Sequence, residues 1–165
     1  MYLGSNPLRS RAAPRLDRLI AARSRDQSPG WGVCRCAVRA GAASRSQAQA
    51  LRDNLPLLER AGGLQTSTCA SGAQWDAPFG RAPINWLAVS DLAAYRYEAD
   101  ARRIARKFIA AVDHGIAHDG TIREKYNMAA ANADVKITAG CTQSVTGFGW
   151  TPAVYLKTNQ LLRRH

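Results

Sequence analysis

Apolar and polar residues alternate at helical spacing in four stretches of the chain, all of them beyond residue 43. Ser44 followed by Gln47 has the form of a capping box, in which hydroxyl and amide satisfy free backbone N–H groups at a helix start. Leu51, Leu55 and Leu58 continue that helix, and Gly62-Gly63 is expected to end it. A second helix begins at Pro83, a residue suited to a first helical turn, and runs to about Tyr95. The third, from about Glu98 to His118, is the most regular. Ala101, Ile104, Ala105, Phe108, Val112 and Ile116 share one face, and Arg102, Arg103, Arg106 and Lys107 populate the other as a solvated surface. Asp119-Gly120 is a turn signal. A last helix fits Pro152 to Arg164. Between these elements, residues 65–82 and 121–149 carry Thr, Ser, Gly, Pro and Ala at loop density. Loops that long inside a compact domain usually carry function. Paired helices with long loops on one side suggest a helical toroid rather than a plain bundle.

Composition narrows the classes. The chain has 165 residues, 46% of them hydrophobic, enough for one modest core. No apolar run approaches the roughly 18 residues of a membrane span, so no membrane partner is expected. No apolar run follows the first basic residues either, so a secretory signal is not expected and the cytoplasm is favoured. Of the net charge of +11, residues 1–46 hold nine Arg against two Asp. Residues 1–41 therefore read as a basic, poorly ordered extension with Pro14 to Arg25 as its one short helix candidate. Residues 42–165 read as the folded part. Such a tail can hold phosphates non-specifically, which keeps a non-enzymatic nucleic-acid-binding protein as an alternative. No recognisable binding motif supports specific nucleic-acid contact. Cys34, Cys36, Cys69 and Cys141 match no common zinc spacing and read as free thiols; no metal or other cofactor is expected.

The loops hold the candidate chemistry. Trp75, Trp86, Phe148 and Trp150 offer flat faces of the kind sugars stack on, and Gln74, Asp76 and Asn127 offer hydrogen-bond groups for hydroxyls. Each has a plainer reading. Buried Trp residues usually belong to a core, Asp76 near a Pro usually caps a turn, and Glu124 between Arg123 and Lys125 can be a surface ion pair. Three segments decide between these readings. Gln74-Trp75-Asp76-Ala77-Pro78-Phe79-Gly80-Arg81-Ala82-Pro83 resembles the trehalase motif Q-W-D-x-P-x-G-W-x-P, departing from its fixed positions at Arg81. Glu124-Lys125-Tyr126-Asn127 is similar to the family's E-K-Y-D/N segment. Gly147-Phe148-Gly149-Trp150-Thr151 is similar to its G-F-G-W-T. Residues 50–64 add to the likeness, which spans roughly 42–164 in order and spacing.

The resemblance implies an all-α fold, the C-terminal part of an (α/α)6 toroid, left incomplete by this stretch alone. It implies an inverting glycosidase that splits α,α-trehalose into two glucose molecules with an acid/base pair of carboxyl groups. Glu124 inherits the role of general base. Gln74, Trp75, Trp86 and Trp150 inherit substrate contacts, and Asp76, Pro78, Tyr126, Gly147, Phe148 and Gly149 inherit structural roles. The family's general acid is an aspartate in a segment similar to W-D-F-S-S-R, and these residues contain no such segment. The missing N-terminal half of the catalytic domain is therefore an expected partner, and this chain alone is expected to be inactive. Thr138 stands where relatives commonly carry a sugar-contacting glutamate. With Arg81, it implies an eroded sugar site. Another α-glucosidase on the same toroid is the enzymatic alternative.

Overall fold

Ser44 starts the first helix as its sequence requires. Its Oγ accepts from the Gln47 N–H at 3.2 Å, and Gln47 Oε1 accepts from the Ser44 N–H at 2.8 Å. This is a computed structural model, and it describes residues 43–138 and 144–163. The basic extension, the Pro14–Arg25 helix and Cys34, Cys36 and Cys141 lie outside the described residues. Helix α1 spans Arg45–Asp53, much shorter than the pattern to Gly62 implies. Asn54 stops it, with both its backbone N–H and its side-chain amide donating to Ala50 O. Pro56, which lacks an N–H and crowds the preceding turn, then permits only a single 3-10 turn, Leu55–Leu57.

Three longer helices make the body: α2 (Ala82–Ala94), α3 (Glu98–Asp119) and α4 (Trp150–Arg163). Helix α2 packs on both α3 and α4, which is why apolar residues run all the way round it rather than along one stripe. The face predicted for α3 is buried from Ala101 through Val112. One apolar cluster joins Leu55, Leu58 and Leu64 to Val89, Leu92 and Ile104; a second joins Phe108, Ile109 and Val112 to Tyr126, Met128 and Val154. The basic face of α3 is less idle than expected. Arg103 and Lys107 both reach Glu59, and Arg102 donates to Leu162 O near the end of α4 at 2.8 Å. Between α2 and α3 the chain turns through Arg96, a non-glycine residue at φ +68°. The Arg96 N–H donates to Ala93 O and the Tyr97 N–H to Leu92 O, so a Schellman closure forms without its usual glycine.

Strands too short to show a period also occur, two of them after the 3-10 turn and one in each long loop. β1 (Glu59–Arg60) pairs antiparallel with β2 (Gly63–Leu64), and β3 (Phe79–Arg81) with β4 (Lys125–Asn127). The two ribbons are tied by Thr66 N–H to Phe79 O and Gly62 N–H to Met128 O, each 2.8 Å. Asn85 of α2 clasps β2 from below. It accepts from the Leu64 N–H at 2.8 Å and donates to Leu64 O and Arg81 O. Gly80 sits at the crossing. A Cβ there would lie 2.5 Å from Leu64 O and from Met128 Cγ, so only glycine fits.

Candidate active site

Asp76 shapes the loop that leads to β3. Its carboxylate accepts from Ser67 Oγ at 3.1 Å, from the Ser71 N–H at 3.2 Å and from the Ser71 hydroxyl, while Asp76 O accepts from the Phe79 N–H. The Ser71 hydroxyl is the main reason its carboxyl is held below the usual range, with Ser67 adding to it. Gly72, at φ +84°, lets the loop fold back so that its carbonyl accepts from the Thr138 N–H at 3.2 Å. The second loop is zipped to β4. The Glu124 N–H donates to Val145 O at 2.8 Å, the Lys125 N–H to Ser144 Oγ, and the Gly147 N–H to Ile122 O. Tyr126, fully buried, accepts from the Arg123 N–H at 3.0 Å, and burial pushes its phenol above the usual range. Arg123 is in turn paired with Asp119, whose carboxyl is pulled down to about 2 by the Thr121 hydroxyl and then by Arg123.

The β3–β4 register sets Arg81 opposite Lys125. Both are buried, at 3% and 0% exposure, and Glu124 at 7% is their shared counter-ion. Arg81 Nη1 lies 2.6 Å from Glu124 Oε1, and Lys125 Nζ lies 3.4 Å from Glu124 Oε2. The same guanidinium donates through Nη2 to Gln74 O at 3.2 Å and Gln74 Oε1 at 3.1 Å. Its plane lies over the Trp75 ring, 3.6 Å from the centroid, at stacking distance. Gln74, Trp75 and Glu124 therefore meet on one cation.

The other residues singled out in the sequence fall elsewhere. Trp86 packs between both apolar clusters, and Trp150 packs on the second, with Phe148 tilted against it at 4.6 Å between centroids. Phe148 itself is exposed. Asn127 Oδ1 accepts from the Ala129 and Ala130 N–H groups and serves its own turn. Pro78 leads into β3, where its carbonyl accepts from the Met128 N–H at 2.9 Å. Cys69 is an exposed free thiol. Two clefts lie off the Glu124 cluster. One of about 430 Å³ is lined by Trp86, Glu98, Arg102 and Lys157, the other of about 700 Å³ by Phe79, Asp119, Arg123, Asn127 and Lys136. Arg81 and Lys125 are the site residues that the sequence reading undervalued. The motif marks Arg81 only as a departure, and its partner lies 43 positions away, where no local pattern points.

Comparisons with known proteins bear on the chain as a whole. The sequence profile of the Trehalase family matches residues 34–163. The chain belongs to the trehalase family. The periplasmic trehalase of Pseudomonas aeruginosa is 40% identical over 124 residues, covering 74% of this chain and 22% of that protein. A periplasmic trehalase of Escherichia coli is 35% identical over 125 residues, covering 76% of this chain and 22% of that protein. Among solved structures, neutral trehalase from Saccharomyces cerevisiae superposes with a TM-score of 0.63 at 32% identity, over 80% of this chain and 24% of that one. The trehalase-family chain thus spans about a quarter of the length of these relatives, and its four described helices are a segment of an all-α, α/α-toroid fold.

Proposed function

We propose that this chain carries the general-base quarter of an inverting α,α-trehalase, which converts trehalose and water into two glucose molecules. The observation that carries the reading is the convergence of Gln74, Trp75 and Glu124 on the one guanidinium of Arg81. In this reading Glu124 takes a proton from the water that attacks the anomeric carbon. A carboxylic acid about 6.5–9.5 Å away protonates the departing oxygen. That acid belongs to an aspartate outside these residues, so the remaining part of the catalytic domain is the partner the site requires. Gln74 and Trp75 are the proposed sugar contacts, whereas Trp86 and Trp150 support the layer beneath. Tyr126 and Gly147 hold the Glu124 loop, and no metal or cofactor enters the reaction. The bacterial relatives are named periplasmic trehalases, and this reading inherits the periplasm rather than the cytoplasm as its compartment.

The test is a chimera in which residues 43–163 replace the matching quarter of the Pseudomonas aeruginosa relative, with Arg81→Trp restoring the motif residue. It is expected to release glucose from trehalose in preference to maltose, whereas the 165-residue chain alone releases none. Adding Glu124→Gln is expected to lower kcat by about 10²–10⁴-fold while the helical circular dichroism is retained. Turnover that survives this change removes Glu124 as the base.

A further inference from the structure

Arg81 presents one guanidinium to three different groups at once. Its plane covers Trp75, Nη1 is hydrogen-bonded to Glu124, and Nη2 is hydrogen-bonded to Gln74 twice. An aromatic face, an amide acceptor and a carboxylate are the groups a neutral sugar needs, and all three are already engaged. A sugar hydroxyl can give Glu124 one charge-assisted hydrogen bond but brings no charge of its own, so it loses the ion pair and meets Gln74 with a neutral hydrogen bond where the guanidinium had a charge-assisted one. Displacing Arg81 would also leave a buried cation to be accommodated elsewhere, next to the equally buried Lys125. We propose that Arg81 is an internal occupant of this site, a built-in cation that masks Glu124 and closes the site to neutral saccharides. The inference rests on the reading of Glu124 as the base toward trehalose. It adds that the arginine side chain competes with substrate for the same three contacts.

Masking can be read without turnover. A water-soluble carbodiimide with an amine nucleophile converts accessible carboxylates to amides, and mass spectrometry of the peptide bearing Glu124 gives its rate in the full 165-residue chain. The native chain is expected to label slowly at Glu124. Arg81→Gln is expected to raise that rate several-fold, leaving Glu59, which Arg103 and Lys107 hold, unchanged. Arg81→Lys keeps the charge and is expected to retain most of the masking. Trp75→Ala, at a 47% exposed position that does not threaten the core, removes one wall and is expected to give a smaller rise. Unchanged labelling of Glu124 in Arg81→Gln and Trp75→Ala overturns the proposal. So does a rise shared by Glu59, because Arg81 would then hold the fold rather than mask one carboxylate. Trehalose is expected to slow labelling in Arg81→Gln but not in the native chain. A rise at Glu124 that trehalose does not slow leaves the masking standing and overturns the trehalose reading instead.

Discussion

The helical layer and the loop end of this chain both bury large side chains, but for opposite reasons. Between α2, α3 and α4 the buried groups are mainly Leu, Ile, Val, Phe and Ala, which need only to be removed from water, with Asp91, Thr151 and Thr158 as polar exceptions. Around β3 and β4 they include, beside Phe79, Tyr126 and Met128, the polar groups Arg81, Glu124, Lys125 and Asn85, which must each be met by a partner at the right angle. Apolar burial is forgiving of shape, because neighbours can shift to fill a gap. Polar burial fails as soon as one member is removed, because the rest are left desolvated. Arg81 is accommodated in this second kind of packing because Glu124 stands within reach to pair with it.

Substitutions sharpen that contrast, beginning with the largest effect. Glu124→Gln keeps the shape but deprives Arg81 and Lys125 of their shared carboxylate. It is expected to lower unfolding free energy by about 3–5 kcal/mol, read from urea denaturation. Asn85→Ala cuts the link between the two regions by orphaning the Leu64 N–H. A loss of about 1–3 kcal/mol is expected, with faster amide exchange at Leu64 than along α3. Ile104→Leu, a volume-conserving swap in the apolar layer, is expected to cost less than about 1.5 kcal/mol by the same denaturation assay. If it costs as much as Glu124→Gln, the contrast collapses.

The smallest effect is electrostatic. Hydrogen bonding from Arg103, supported by Lys107, holds the Glu59 carboxyl below its ordinary 4.5. A depressed folded value means the contribution is complete above the unfolded pKa and lost as pH falls through the folded one. The urea midpoint should therefore decline below about pH 4.5, and Glu59→Gln should flatten that decline.

How much the chain discloses in one dimension follows the same division. α3 is legible because 22 residues repeat a 3.6 period. The start of α1 is legible because Ser44 and Gln47 cap it locally. Its end is not, since Leu55 and Leu58 keep helical spacing while Pro56 and Asn54 have already stopped the helix. The Arg96 turn is hidden because the expected glycine is absent. Strands of two and three residues carry no readable alternation, so neither ribbon is visible beforehand. The motif residues mark the candidate site, yet the pairing of Arg81 with Glu124 depends on a strand register that only the folded chain reveals.

Gly80 bears on how this end of the molecule can move. Gly80 lies against the Leu64 carbonyl on one side and the Met128 side chain on the other, so β3 approaches β2 as closely as a bare main chain allows and the Met128 thioether is the rotameric group at the crossing. Any change in site width has to come from swinging Arg81 or the loop tips, since the ribbons cannot be pried apart without unseating α2 through Asn85.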